Sequence, residues 1–211
     1  KGAKFLRGVF RKIGRKISIF ANRVVIFFAC FNNSLSKRKY SAVFLIGPPR
    51  SGSTLLMQIF TDAFELGYLS NAHCRWFGAP ALGERLRRPL RDKEPSDYSS
   101  DHGRTKKDSD PAECGAWWYR FFRREPAYVT NHDVSGRKMR AFRGSLARLF
   151  EAFGRPLIFK NLYASLRLEP IFYYVPNALF VVIDRDWVDN GHSILKGRND
   201  ALVIVDTTLS M

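Results

Sequence analysis

The sequence predicts an α/β fold built on a parallel central sheet. Three observations carry that expectation. Short apolar runs occur at residues 41–46, 156–159 and 179–183, the pattern of strands buried on both faces. Segments of helical period separate these runs. The first run stops abruptly at Gly47-Pro48-Pro49, as a strand does when it enters a tight loop.

Taken in order, residues 41–46 read as a buried strand rich in β-branched and aromatic side chains. Residues 53–64 read as a helix, with Leu55, Leu56, Ile59, Phe60 and Ala63 at helical spacing. Residues 78–112 are rich in Gly, Pro, Ser, Asp and Arg and read as a long irregular excursion. Residues 113–122 and 136–153 read as helices. The second aligns Met139, Phe142, Leu146, Leu149, Phe150 and Phe153 on one stripe. Residues 156–159 are the second strand. A helix over 162–174 is expected to kink or end near Pro170. Residues 179–183 are the third strand, and 188–196 a following helix. No internal repeat is present.

The chain has 211 residues and a formal charge of +16, which at first suggests a nucleic-acid binder. The charge is unevenly placed. Residues 1–40 hold eleven basic residues and no acid, whereas residues 41–211 are only mildly basic, at +5. Leu6, Val9, Phe10, Ile13, Ile17, Phe20 and Val24 recur at steps of three and four, with Lys4, Arg7, Arg11, Arg15 and Lys16 mostly opposite. Residues 1–40 therefore read as a basic amphipathic helical segment, with three readings open: docked on its own domain, touching anionic lipid through residues 1–31, or serving as a nucleic-acid arm. Residues 41–211 form the second unit, the α/β domain. The apolar run at 24–31 is too short to span a bilayer and lacks a small-residue cleavage site. Cys30, Cys74 and Cys114 are odd in number, with no CxxC, which argues against a disulfide scaffold or a zinc ribbon and suits a reduced, cytoplasmic setting. The four histidines are scattered, so no metal site is expected.

The junction of the first strand and helix carries chemistry. A loop between a buried strand and a helix N-terminus points backbone N–H groups at one spot, and the helix dipole favours an anion there. Gly52 permits close approach of backbone to phosphate. Ser51, Ser53 and Thr54 add hydroxyls, and Arg50 supplies a guanidinium for phosphate or sulfate oxygens. Gly47 and Gly52 have the spacing of the GxxxxGK[ST] loop, but Ser53 stands where that loop has lysine. This weakens a nucleotide-hydrolase or kinase reading.

Pro49-Arg50-Ser51-Gly52-Ser53-Thr54-Leu55-Leu56 resembles the 5′-phosphosulfate-binding loop of the sulfotransferase family. The segment Leu179 to Leu195 resembles that family's 3′-phosphate signature, with Arg185 in the arginine position and Ser193 eight residues on. Trp187 stands where the family usually has proline, and Asp184 precedes Arg185. Arg155 to Asn161 and Tyr173 to Phe180 resemble the lysine-containing strand end and the run that follows it, and Pro111 to Phe122 resembles a segment of some bacterial members. The resemblance spans residues 41–198 and implies a three-layer fold with P-loop NTPase-like topology. It further implies that 3′-phosphoadenosine 5′-phosphosulfate (PAPS) is the cofactor, with Arg50, Ser51, Gly52, Ser53, Thr54, Arg185 and Ser193 as its ligands. Because family members usually continue beyond the 3′-phosphate helix, the C-terminal part of the domain is expected to be incomplete.

The implied reaction moves a sulfuryl group to a hydroxyl of a glycan, lipid or small molecule. It needs charge stabilisation, positioning and a base. Lys160, at a strand end, is the candidate to stabilise the bridging oxygen. Glu113 and His73 are the candidate bases. Trp117, Trp118, Tyr119, Phe121 and Phe122 are either core or a platform for a ring. Two other readings stay open: a nucleotide-dependent phosphotransferase, and a non-catalytic basic protein that binds membrane surfaces or nucleic acid. On the sulfotransferase reading no nucleic-acid partner is expected.

Overall fold

The computed structural model describes residues 40–87, 96–101 and 103–209, the last eleven by backbone alone. The amphipathic segment expected at 1–40 lies, but for Tyr40, outside the described residues.

Strand β1 (Ala42–Ile46) forms where apolar residues follow one another without a turn former, and four of its five residues are buried. It is central. Strand β3 (Leu157–Lys160) pairs on one side and β4 (Leu179–Val182) on the other, with the short β2 (Gly67–Tyr68) beyond β3. All pairings are parallel, in the order β2-β3-β1-β4.

Helix α1 (Ser53–Ala63) covers one face, where Met57 packs with Leu45 and Ile158. The opposite face carries α2 (Asn71–Arg75), α3 (Pro80–Arg87), α4 (Gly115–Trp118), α5 (Gly136–Phe153) and α6 (Leu168–Tyr174). This gives three layers. The larger core lies on that second face. Phe44 is in register with Phe159 on one neighbour and Phe180 on the other. Their rings stack at centroid distances of 5.6 and 5.5 Å. Trp117 lies parallel to Phe159 at 5.5 Å. Each such pair adds about 0.5–1.5 kcal/mol beyond its buried area. Trp117, Trp118, Phe121 and Phe122 are all buried, and Trp117 Nε1 donates to Ser145 Oγ at 3.0 Å. The aromatic segment is therefore core, not a platform. The whole stripe of α5 read from the sequence is buried as well.

Several elements differ from expectation. The excursion at 78–112 contains α3, which begins at Pro80, a favoured first helical position. The helix expected over 113–122 shrinks to four residues, and the left-handed Cys114, at φ 48°, keeps it from starting before Gly115. Just upstream, Ala112 N–H is tied to the Leu69 carbonyl. The segment at 162–174 breaks earlier than Pro170. A 3-10 turn (Leu162–Arg167) precedes α6, and Pro170 sits in the first turn of α6, where its missing N–H costs nothing. Helix α7 (Trp187–Leu209) starts one residue before, and runs well beyond, the 188–196 expected. Asp186 Oδ1 starts it by accepting from Val188 N–H (3.0 Å) and Asp189 N–H (2.9 Å).

The topology places a site. The chain leaves β1 for α1 on one face and leaves β3 for α6 on the other. Adjacent parallel strands whose connections part in this way open a crevice at their carboxyl ends. That crevice holds the Gly47–Gly52 loop and Lys160.

Candidate active site

The loop owes its shape to two left-handed residues, Arg50 at φ 65° and Gly52 at φ 87°. Gly52 then becomes the N-cap of α1, and its carbonyl accepts from Leu56 N–H at 3.1 Å. A β-carbon at Gly52 would meet nothing within 4 Å, so the space above it is open. At Gly47 it would press on Ile183, 3.0 Å from the carbonyl oxygen, so that glycine is required by the close approach of the chain after β4. Gly47 N–H also donates to Ser165 Oγ at 3.3 Å. Ser51 and Ser53 are buried, and Ser51 Oγ has no partner among the described residues. A buried, unused hydroxyl within a loop at a helix N-terminus fits an oxyanion ligand.

The second motif closes on the first. Arg185 Nη1 donates to the Arg50 carbonyl at 2.6 Å, and Arg50 Nε donates to Ser193 Oγ at 3.3 Å. Residues more than a hundred positions apart thus form one cationic rim. The guanidinium of Arg185 turns to the loop, and Asp184 lines a separate cleft. Trp187, in the position where proline was expected, is the first residue of α7 and is largely exposed.

Below this rim lies a compact polar cluster. Lys160 Nζ donates to Thr54 Oγ1 at 2.6 Å and to Glu113 Oε1 at 2.8 Å. Its side chain is 5% exposed, whereas that of Glu113 is 35% exposed. Thr54 Oγ1 in turn donates to the Gly103 carbonyl at 3.1 Å. The hydroxyl expected to serve the anion is therefore committed to Lys160. Thr54 instead orients the lysine, and the lysine orients the carboxylate. Charge-assisted hydrogen bonds of this kind hold geometry firmly.

His73 does not join this cluster. It is buried within the helical layer, where Nδ1 accepts from Ser70 N–H at 3.1 Å and lies 2.8 Å from Ser70 Oγ. Nε2 lies 3.3 Å from Glu84 Oε2, and the ring packs on Phe153. These contacts make a capping box for α2. Next to Glu113, the Cys114 thiol hydrogen-bonds to Cys74, which lowers the Cys74 pKa. That bond, together with burial, pushes Cys114 well up.

Two clefts adjoin the loop. One of about 590 Å³ is lined mainly by apolar groups, with Gly47, Pro48, Pro49, Leu162, Tyr163 and Leu166 among them. The other, of about 480 Å³, lies between the loop and α7. Sequence reading missed Gly103 and Gln58. The signal was present: Thr54 and Gln58 are a polar pair one turn apart, set among Leu55, Leu56, Met57, Ile59 and Phe60. Among the described residues, no group of three or more His, Cys, Asp or Glu is placed to hold a metal ion. No described helix is long and apolar enough to cross a membrane.

No curated protein and no solved structure matches the chain significantly. The sequence profile of the Sulfotransferase family matches residues 42–198, from the first residue of β1 to the turn of α7 beyond Ser193. That span contains the loop, the Lys160–Glu113 pair and the Arg185–Ser193 rim, and the chain belongs to the sulfotransferase family.

Proposed function

We propose that this domain transfers a sulfuryl group from PAPS to a hydroxyl of a glycan, lipid or small-molecule acceptor. The observation that carries the reading is the convergence of Arg185 and Ser193 on Arg50 of the anion-binding loop. Residues suited to both phosphate ends of such a donor meet at one rim. When bound, the donor supplies an activated sulfuryl group on a phosphate leaving group.

The protein's own residues then divide the work. Loop N–H groups, the free hydroxyl of Ser51 and Arg50 hold the phosphosulfate end. Arg185 and Ser193 clamp the 3′-phosphate. Lys160, held by Thr54, faces the negative charge that develops on the leaving oxygen. Glu113 takes the acceptor proton as the new O–S bond forms and the old one breaks. Its partial exposure and ion pair favour Glu113 over the buried His73 for this role. The apolar cleft beside Pro48 and Leu162 suits an acceptor with a hydrophobic body. The basic stripe at 1–31 supports peripheral contact with anionic lipid in a cytoplasmic setting.

The reading is tested by incubating the protein with ³⁵S-labelled PAPS and a panel of phenols, long-chain alcohols and oligosaccharides. Label should pass to at least one hydroxyl-bearing class and not to its methyl ether. Transfer to none, with donor binding demonstrated, would overturn the catalytic assignment.

A further inference from the structure

The excursion between α3 and α4 is tied down at two points of α1. Gly103 O accepts from Thr54 Oγ1, and Ser96 Oγ and Ser99 O accept from Gln58 Nε2 at 3.0 and 3.3 Å. Gln58 is fully buried, so residues 96–101 and 103–104 lie as a strap along the helix that carries the loop. Asp101 and Arg104 exchange backbone hydrogen bonds of 2.8 Å in both directions. Gly103, at φ 82°, makes that tight turn.

The turn presents Arg104 to the cleft between loop and α7. Its other walls are Pro49, Arg50, Asp101, Ile194, Gly197 and Arg198. Ile194, Gly197 and Arg198 share one face of α7, directly after Ser193. Three arginines and one aspartate are thus among the residues that line a space of about 480 Å³. Like charges gathered around one cavity repel until an anion sits among them, and guanidinium forks match phosphate oxygens well. Pro49 and Ile194 add the apolar surface that a ribose or base would cover.

We propose that Arg104 and Arg198 are further ligands of the donor nucleotide, holding its 3′-phosphate end together with Arg50, Arg185 and Ser193. The inference rests on the PAPS reading above and adds a third element to it. The strap, and not only the two sequence motifs, then selects a 3′-phosphorylated nucleotide over one that lacks that group.

Titration calorimetry with adenosine 3′,5′-bisphosphate and with adenosine 5′-monophosphate tests it. Arg104→Gln and Arg198→Gln should each weaken the bisphosphate about tenfold or more, the loss typical of one charge-assisted hydrogen bond. Affinity for the monophosphate should stay within about twofold. Both arginines are exposed, so the unliganded melting temperatures should match the parent. Arg137→Gln, on the exposed side of α5, should change neither affinity. Parent-like bisphosphate binding in both variants would overturn the proposal and leave the donor reading intact. So would equal weakening of both nucleotides. A parent that binds neither nucleotide would overturn the donor reading itself, and this inference with it.

Discussion

Lys160 and Glu113 form an ion pair of 2.8 Å at the carboxyl end of the sheet, with the lysine nearly buried and the carboxylate partly open. Glu113→Gln keeps the shape and the hydrogen bond but removes the base. It should lower kcat by about 10²- to 10⁴-fold, with bisphosphate affinity unchanged. Lys160→Met should lower kcat as well, through lost stabilisation of the leaving oxygen. His73→Ala should behave differently. It breaks the α2 cap, removes the contact to Glu84 and empties the space of a buried ring, so it should cost about 1–3 kcal/mol of stability while the kcat of the folded protein holds. A kcat loss in His73→Ala without a loss in Glu113→Gln would reverse the assignment.

The two glycines of the loop should separate folding from binding. Gly52→Ala meets no neighbour but places a β-carbon in the open space above a left-handed residue. It should cost about 1–2 kcal/mol, or a few degrees of Tm, and weaken nucleotide binding more than tenfold. Gly47→Ala presses on Ile183 and should lower Tm further. Thermal melts with and without adenosine 3′,5′-bisphosphate measure both effects.

The thiol pair makes a reactivity prediction. Cys114 hydrogen-bonds to Cys74 and lowers its pKa, whereas Cys114 itself is buried and shifted up. A lowered pKa means more thiolate at a given pH. In a Cys30→Ser background, iodoacetamide at neutral pH should label Cys74 first. Cys114→Ala should slow that labelling, because the Cys74 pKa then rises. Faster labelling of Cys74 in Cys114→Ala, read by peptide mass spectrometry, would contradict the pairing.

Phe44 sits at the centre of the aromatic ladder, stacked on both neighbouring strands and edge-on to Trp118. Phe44→Ala should cost about 3–5 kcal/mol, as large buried truncations do. Phe44→Leu should recover much of that loss. Chemical denaturation of the two variants compares them.

The sequence was most legible where local and tertiary signals agree. β1, the loop and α1 appear as read, because an apolar run, a Gly-Pro break and a helical stripe coincide there. Helix α5 matches to the residue, since Ser135 caps it and Gly154 ends it. Two-residue β2 was invisible, having too few residues to show a period. The left-handed Cys114 was equally hidden, because cysteine is not a residue type that marks a positive φ. In the site, the family resemblance pointed to Arg50, Arg185, Ser193 and Lys160, and Glu113 stood beside His73 as a candidate base. The structure brings Lys160 to Glu113 and Arg50 to Arg185 and Ser193, and leaves His73 apart. The joining role of Thr54 and the reach of the excursion to Arg104 depend on chain crossings that no local pattern encodes.

The central claim is that Arg50, Arg185 and Ser193 build one site for a nucleotide with phosphate at both ends of its ribose. Thermal melting with adenosine 3′,5′-bisphosphate tests it most directly. At about a hundredfold excess over Kd, the bound ligand contributes about 2.7 kcal/mol and should raise the parent Tm by about 5–10 °C. Arg185→Ala should abolish the rise, and ATP with Mg²⁺ should not reproduce it. No rise in the parent, or a rise that survives Arg185→Ala, would contradict the account.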